Sequence, residues 1–502
     1  MHPRFVVVLF AVTAVVCLAA PVVAERPIAI DARRELLVDD YLIDRFDGRA
    51  ELRLHQPTPR EIVLLFNEPW EGNSCGAYHT VFRDGDRYRM YYIACQQTLK
   101  GEMASHPIFT CYAESNDGIH WVKPELGQFE FAGSKKNNII MWKGYDRDSE
   151  AIIVPFKDAN PACQPEQRYK AMVNIHSSLH ALQSADGIHW SEMSDKAVIT
   201  KGAFDSQNLA FWDATRHEYR AYVRDFRDGL RDIRTATSPD FLHWTEPVWL
   251  EYPGAPKQQL YTNGVIPYYR APHLLLGFPT RYTERGWNDS MRALPELEHR
   301  KLRSATSDRE GMALTDGLFM SSRDGRTFHR WNEAFLRPGL RGSDNWAYGD
   351  NYQGWGLVET KSAIADAPDE ISLYATEGYW LHNADKLRRF TIRKDGFVSI
   401  QAPFAGGGFV TKPITFQGGR LTLNFSTSAA GVIRVEIQDA HGKPLPGFAL
   451  NDCSEVFGDD LQRTVTWKHG SDVGKLAGRP VRLRFTLSDA DLYSFQFQPA
   501  AR

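Results

Sequence analysis

The sequence predicts an all-β protein, a five-bladed β-propeller followed by a C-terminal β-sandwich. A short turn motif recurs five times, beginning at positions 115, 184, 238, 322 and 393, so that the copies lie 54 to 84 residues apart. The intervals hold short alternating stretches of strand length. Aromatic and turn-forming residues are abundant, with 13 Trp, 20 Tyr, 28 Phe, 38 Gly and 27 Pro in 502 residues, a composition that favours strands and turns over long helices.

Arg4 precedes an apolar run from Phe5 to Ala20, and Val22-Val23-Ala24 places small residues before Glu25. This pattern predicts a signal peptide over residues 1–24 and a secreted or periplasmic protein; an apolar run of about 16 residues is short for a membrane span. Five cysteines remain after cleavage (Cys75, Cys95, Cys111, Cys163 and Cys453), too sparse and odd in number for a disulfide framework. One bridge among the first three and buried free thiols both fit. No CxxC pair or His cluster suggests zinc. The formal charge of −3 is spread along the chain without a basic block, which argues against nucleic acid as a partner.

Asp39 to Ile43 is expected to belong to an N-terminal strand packed on, or closing, the ring. The repeat then follows as Ser115-Asn116-Asp117-Gly118-Ile119-His120-Trp121, Ser184-Ala185-Asp186-Gly187-Ile188-His189-Trp190, Ser238-Pro239-Asp240-Phe241-Leu242-His243-Trp244, Ser322-Arg323-Asp324-Gly325-Arg326-Thr327-Phe328 and a degenerate Arg393-Lys394-Asp395-Gly396-Phe397. Each copy reads as a turn leaving a strand: Asp bonds the turn backbone, Gly supplies positive φ, and the aromatic tucks onto the sheet. Ahead of each copy lie three alternating stretches, for example 78–84, 88–94 and 108–114 before the first, and 354–359, 371–376 and 389–393 around the fifth. With one more short segment each, five units have blade arithmetic; a six-bladed sialidase-like count finds no sixth unit. Residues 283–312 lack strand pattern and predict a rim insertion with a helix over 291–302. A Pro- and Gly-rich linker at 402–408 divides the propeller (25–402) from a module (403–502) whose short alternating stretches predict the sandwich, in a capping or a glycan-binding role.

These features resemble the propellers of glycoside hydrolase families 32 and 43: the turn copies, the Asp84-Gly85-Asp86 hairpin before Tyr88-Arg89-Met90-Tyr91-Tyr92, and the five-unit count. Leu37 to Ile43, Phe204 to Asn208 and Arg393 to Ser399 are similar to stretches in uncharacterised secreted propeller proteins of planctomycete-type bacteria. The resemblance implies a glycoside hydrolase with acids on inner strands. Gly76-Ala77-Tyr78-His79-Thr80 departs from it, standing where a catalytic Asp of the first blade would be expected.

In a propeller the innermost strands converge on the axis, so polar residues at their entrances share one pocket. Glycosidic hydrolysis needs two carboxyl groups, one protonated and one ionised. The expected catalytic acids are Asp205, Asp148 and Glu150 (on one face by alternation), Asp350 and Glu377. Expected substrate contacts are Tyr78, His79, Gln207, Asn208, Asn263 and Trp346, with Arg224 and Arg281 holding a carboxylate or sulfate on the glycan, or pairing with the acids. His79 equally suits a structural role. No cofactor is expected, though an axial Ca²⁺ is compatible, and no membrane contact is expected after signal removal. The leading expectation is a glycosidase acting on a polysaccharide or oligosaccharide; the alternatives are a non-catalytic glycan-binding propeller and a phosphorylase on the same fold.

Overall fold

The structure is a computed structural model and describes residues 26–75, 77–103, 106–142, 150–380 and 385–499. The expected signal peptide lies outside these residues. Among them no helix is long and apolar enough to cross a membrane.

The chain is built from strands, with short helices only at 289–312 and two single 3₁₀ turns. Outside the terminal module the strands pair into successive antiparallel units. The first contains Thr80–Asp84, Arg87–Ala94 and Phe109–Ser115, and the second Glu150–Ile153, Tyr169–Ile175 and Ser178–Ser184. The third contains Leu209–Asp213, Glu218–Arg227 and Leu230–Ser238. In the fourth, Ile266–Tyr268, Ala271–Gly277 and Met320–Ser322 form one sheet, and Thr280–Glu284 with Ala313–Gly317 extend it as another. The fifth is Val358–Thr360, Glu370–Glu377 and Asp385–Ile392, to which Thr58–Phe66 adds as the outer strand. A strand from before the first unit therefore completes the last, which ties the two ends of the ring together.

The repeated turns are where neighbouring units meet. In each of the first four, the Asp side chain accepts from the backbone N–H groups two and three residues on, at 2.7–2.9 Å. This presents the next residue to the preceding unit. The Tyr374 hydroxyl of the fifth unit donates to the Gly118 carbonyl (2.6 Å), and the Tyr222 hydroxyl of the third donates to that of Gly325 (2.8 Å). Arg89 of the first unit donates to the Asp186 carbonyl (2.7 Å), while a Cβ at Gly187 (φ +79°) would stand 2.6 Å from the Tyr91 hydroxyl oxygen. The third turn carries Phe241 at the glycine position (φ 70°) and supplies the ring itself, 5.6 Å from Phe156 of the second unit. In the fifth, Asp395 accepts from the Tyr268 hydroxyl of the fourth unit at 2.7 Å. These contacts run in order around all five units and close a ring.

The terminal module departs from the expected boundary. Ile28–Asp31, Arg34–Leu36, Ile43–Gly48 and Glu51–Leu54 pair with strands from Val398–Ala402 onward in a single ten-stranded sheet. Asp39 to Leu42 thus belong to this module rather than to a strand on the ring. This module is one connected sheet, because Arg420–Asp439 and Val481–Gln498 pair along their length through an irregularity between Thr427 and Val432. One apolar core, including Phe409, Phe425, Phe485 and Phe495, fills it. The glycine run near 406 serves packing rather than flexible linkage: a Cβ at Gly408 would stand 2.3 Å from the Phe485 carbonyl oxygen. The five described cysteines are free thiols.

Buried ion pairs join module and ring. Asp395, fully buried, receives Arg34 (3.1 Å) and Arg270 (2.8 Å) together with the Ser494 hydroxyl (2.8 Å). Glu35 is equally buried against Arg33 (2.6 Å), Arg323 (3.0 Å) and His273 (3.4 Å). Burial alone would raise the Glu35 carboxyl, but His273, Arg323 and Arg33 outweigh it and hold it at about 2.

Gly187→Ala should destabilise the protein by about 1–3 kcal/mol in urea unfolding, because the added methyl meets the Tyr91 phenol and the backbone is left-handed. Glu35 has a depressed folded value, so its contribution is complete above the ordinary carboxyl range and is lost as pH falls toward 2. The deficit of Glu35→Gln should be about 3 kcal/mol at pH 7 and about half that at pH 3, read from unfolding curves at the two pH values.

Candidate functional site

Segments preceding the inner strands meet at one end of the ring. Tyr78 leads into Thr80–Asp84, Asp205 to Asn208 into Leu209–Asp213, Tyr261 to Asn263 into Ile266–Tyr268, and Tyr348 to Tyr352 toward Val358–Thr360. Their rings form one cluster: Tyr352 lies 6.1 Å from Tyr78 and 5.4 Å from Tyr261, and Tyr261 lies 6.2 Å from Tyr348 and 6.3 Å from Tyr282.

Two departures from the blade pattern furnish this cluster with charge. Glu218–Arg227 has ten residues, against seven or eight for the equivalent strands of the first, second and fifth units. Its hairpin overshoots and carries Arg224, Phe226 and Arg231 to the tyrosines. Arg224, nearly buried, pairs with Asp205 and lies 5.2 Å from the Tyr261 centroid. Arg231 lies 5.0 Å from Tyr261 and 4.5 Å from Tyr282, and the Phe226 ring beside both arginines is 46% exposed. The second departure is the insertion at 289–312, where Asp308–Met312 places Arg309 5.6 Å from Tyr348. Glu310 follows it, buried.

Two of the carboxyl groups at this end, Asp205 and Glu310, sit in opposite environments. The Asp205 side chain is 61% exposed and salt-bridged. Burial pushes the Glu310 carboxyl up, against the pull of Arg309 and Arg303, and its Oε2 accepts no hydrogen bond among the described residues. Gln207 adds a buried amide whose two polar atoms are unpaired among the described residues, a group left for water or a ligand. Tyr78 and Asn351 hold left-handed backbone here, with φ of 58° and 59°, a cost of about 1–3 kcal/mol each.

Of the residues expected from sequence, Tyr78, Asp205, Gln207 and Arg224 reach this cluster. Asp148 lies outside the described residues. Glu150 begins the second unit's inner strand, opposite Asn174, and its side chain is outside the description. The other expected residues are placed as follows. His79 is fully buried, its Nε2 bonded to the Tyr374 carbonyl (3.1 Å). Asn208 donates to the Phe204 and Ser206 carbonyls, and Asn263 accepts from the Val265 N–H and donates to the Gln207 and Tyr222 carbonyls. Both hold the backbone that shapes the cluster. Glu377 pairs with Arg388 on the adjacent strand (2.5 Å), and Arg281 is forked onto Asp316. Trp346 stands outside the cluster, its indole N–H bonded to the Gly339 carbonyl (3.1 Å). Asp350 is sealed: its oxygens accept from the N–H groups of Ala347 and Tyr379, and burial raises it to about 7.

Sequence reasoning missed Tyr282, Tyr348, Arg231, Arg309 and Glu310. The last two lie in the patternless insertion, where no periodicity indicates which side chains face the axis. Among the described residues no three His, Cys, Asp or Glu side chains gather as a metal site.

No protein-family model matches the chain, and no curated protein matches it in sequence. Similar solved structures include an N-acetylgalactosamine deacetylase from F. plautii in complex with blood group B trisaccharide (13% identity, TM-score 0.44, covering 67% of this chain and 94% of that one). They also include a glycoside hydrolase family 43 arabinoxylan arabinofuranohydrolase from Bacillus subtilis in complex with cellotetraose (12%, 0.39, 86% and 98%). A third is a fructofuranosidase from Schwanniomyces occidentalis complexed with fructose (11%, 0.39, 86% and 97%). Likeness at these scores bears on neither fold nor function.

The raised carboxyl of Asp350 contributes stability that is complete in acid below the ordinary carboxyl range and is lost as pH rises from there through about 7. Asp350→Asn should flatten the difference in unfolding free energy between pH 5 and pH 8 by about 2–3 kcal/mol; urea titrations at both pH values check this.

Proposed function

We propose that the protein is an exported glycosidase whose axial tyrosine cluster binds a glycan and whose Asp205 and Glu310 carry the hydrolysis. The single observation behind this reading is the pairing of a solvent-facing, salt-bridged carboxylate with a buried, upshifted one around a set of aromatic rings. Phe226, 46% exposed beside Arg224 and Arg231, offers a flat apolar face to a sugar ring, while Tyr261 and Gln207 are buried. Glu310, whose carboxyl burial pushes up, gives its proton to the leaving oxygen. Asp205, salt-bridged to Arg224, acts on the opposite side of the bond. Asp148 and Glu150 remain candidates for a third carboxyl contribution from the second unit.

A second reading, a non-catalytic glycan-binding propeller, is favoured by one specific observation: no acid stands at residues 77–80 of the first unit, and Asp350 and Glu377 are both engaged elsewhere.

The test is a panel of plant and algal glycans read by released reducing ends. Asp205→Asn and Glu310→Gln should each lower kcat about 10²–10⁴-fold while leaving glycan affinity nearly unchanged. Binding without turnover by the unaltered protein across the panel would favour the second reading.

A further inference from the structure

Three depressions run together across the outer side of the fourth unit. One of 370 Å³ opens beside the tip of the third-unit hairpin, at Arg227 and Asp232. A central one of 1020 Å³ shares Leu230, Lys257 and Gln258 with it. A third, of 550 Å³, shares Arg285, Leu314 and Trp346 with the central one. Together they form a groove, and Tyr282 belongs both to its wall and to the axial cluster. A single sugar fills one pocket; a groove continuous with the axial end fits a chain.

Two features give the groove its chemistry. Trp346 stands where the second and third depressions meet, half-buried, with its backbone held at φ 64° and its indole N–H fixed on Gly339. A bulky residue in that conformation is strained, and here the strain holds a flat aromatic face at the groove. The other feature is unmatched positive charge. In the central depression Asp316 is taken by Arg281 and Glu284 by the Tyr282 hydroxyl (2.8 Å), while Lys257 is matched by Asp228. Arg285 and Arg337, both exposed, have no side-chain hydrogen bond or ion pair among the described residues. Guanidinium forks of this kind pair bidentately with carboxylate or sulfate oxygens.

We infer that this groove binds a linear acidic polysaccharide, with a sugar ring on Trp346 and a carboxylate or sulfate ester on Arg285 and Arg337. The inference rests on the glycan-directed reading of the axial end and adds that the ligand is a charged chain running outward over the fourth unit.

The test is native gel electrophoresis of the full chain through gels containing polygalacturonate, a sulfated galactan or a neutral β-glucan. The unaltered protein should be retarded by one or both acidic polymers, which separates carboxylate from sulfate recognition, and not by the neutral one. Retardation should fall as salt rises. Trp346→Ala and the double variant Arg285→Ala/Arg337→Ala should each raise the dissociation constant at least tenfold, and Arg285→Lys/Arg337→Lys should recover part of the loss; circular dichroism confirms that each is folded. Equal retardation of all variants, or no preference for acidic over neutral polymer, overturns the inference. Asp205→Asn separates the two claims. If it binds the acidic polymer and the unaltered protein turns nothing over, the groove stands and hydrolysis fails. Turnover of short neutral glycans without acidic-polymer binding leaves hydrolysis standing and removes the groove.

Discussion

The structure depends on one contact made at every junction of the ring: a repeated turn seated against an aromatic or charged side chain of the preceding unit. Tyr374 at Gly118, Tyr222 at Gly325 and Tyr268 at Asp395 are the clearest cases, each a phenol donating to the turn at 2.6–2.8 Å. A buried hydroxyl without an acceptor costs about 1–3 kcal/mol, so each phenol fixes the position of the next turn and with it the next inner strand. Where the third turn carries Phe241 instead of glycine, the ring comes from the turn and packs on the second unit. The location of the axial end follows from this repeated constraint.

Function is added by departures from the repeat. A third-unit hairpin longer than its counterparts lifts Arg224, Phe226 and Arg231, and the fourth-unit insertion brings Arg309 and Glu310. The insertion is itself anchored by buried charge: Arg303 is fully buried and donates to the carbonyls of Tyr379 and Glu310. Buried guanidinium groups of this kind are costly unless bonded, which makes the placement of Glu310 a specified feature rather than a loop accident. The acid is raised by the same burial that secures the insertion.

The sequence made the repeat legible because Asp, Gly and an aromatic at fixed offsets describe the turn chemistry directly, and the strand stretches around it follow from alternation. It did not disclose that residues 28–54 complete the terminal sheet, because short strands carry no record of distant partners. Asp205 was legible as an acid ahead of an apolar strand. Asp350 looked similar and proved to be a backbone cap, since two adjacent N–H groups claim its oxygens. Local pattern identifies a polar residue at a strand entrance; whether it faces the axis or its own turn is decided by neighbours far away in sequence.

A crystal structure of the Asp205→Asn protein with an oligosaccharide from a glycan it binds addresses the central claim most directly. A sugar ring against Phe226, with a glycosidic oxygen within hydrogen-bond reach of Glu310, is the expected result. A glycan seated only on the terminal sheet, with no sugar atom near Phe226 or Glu310, would contradict the account.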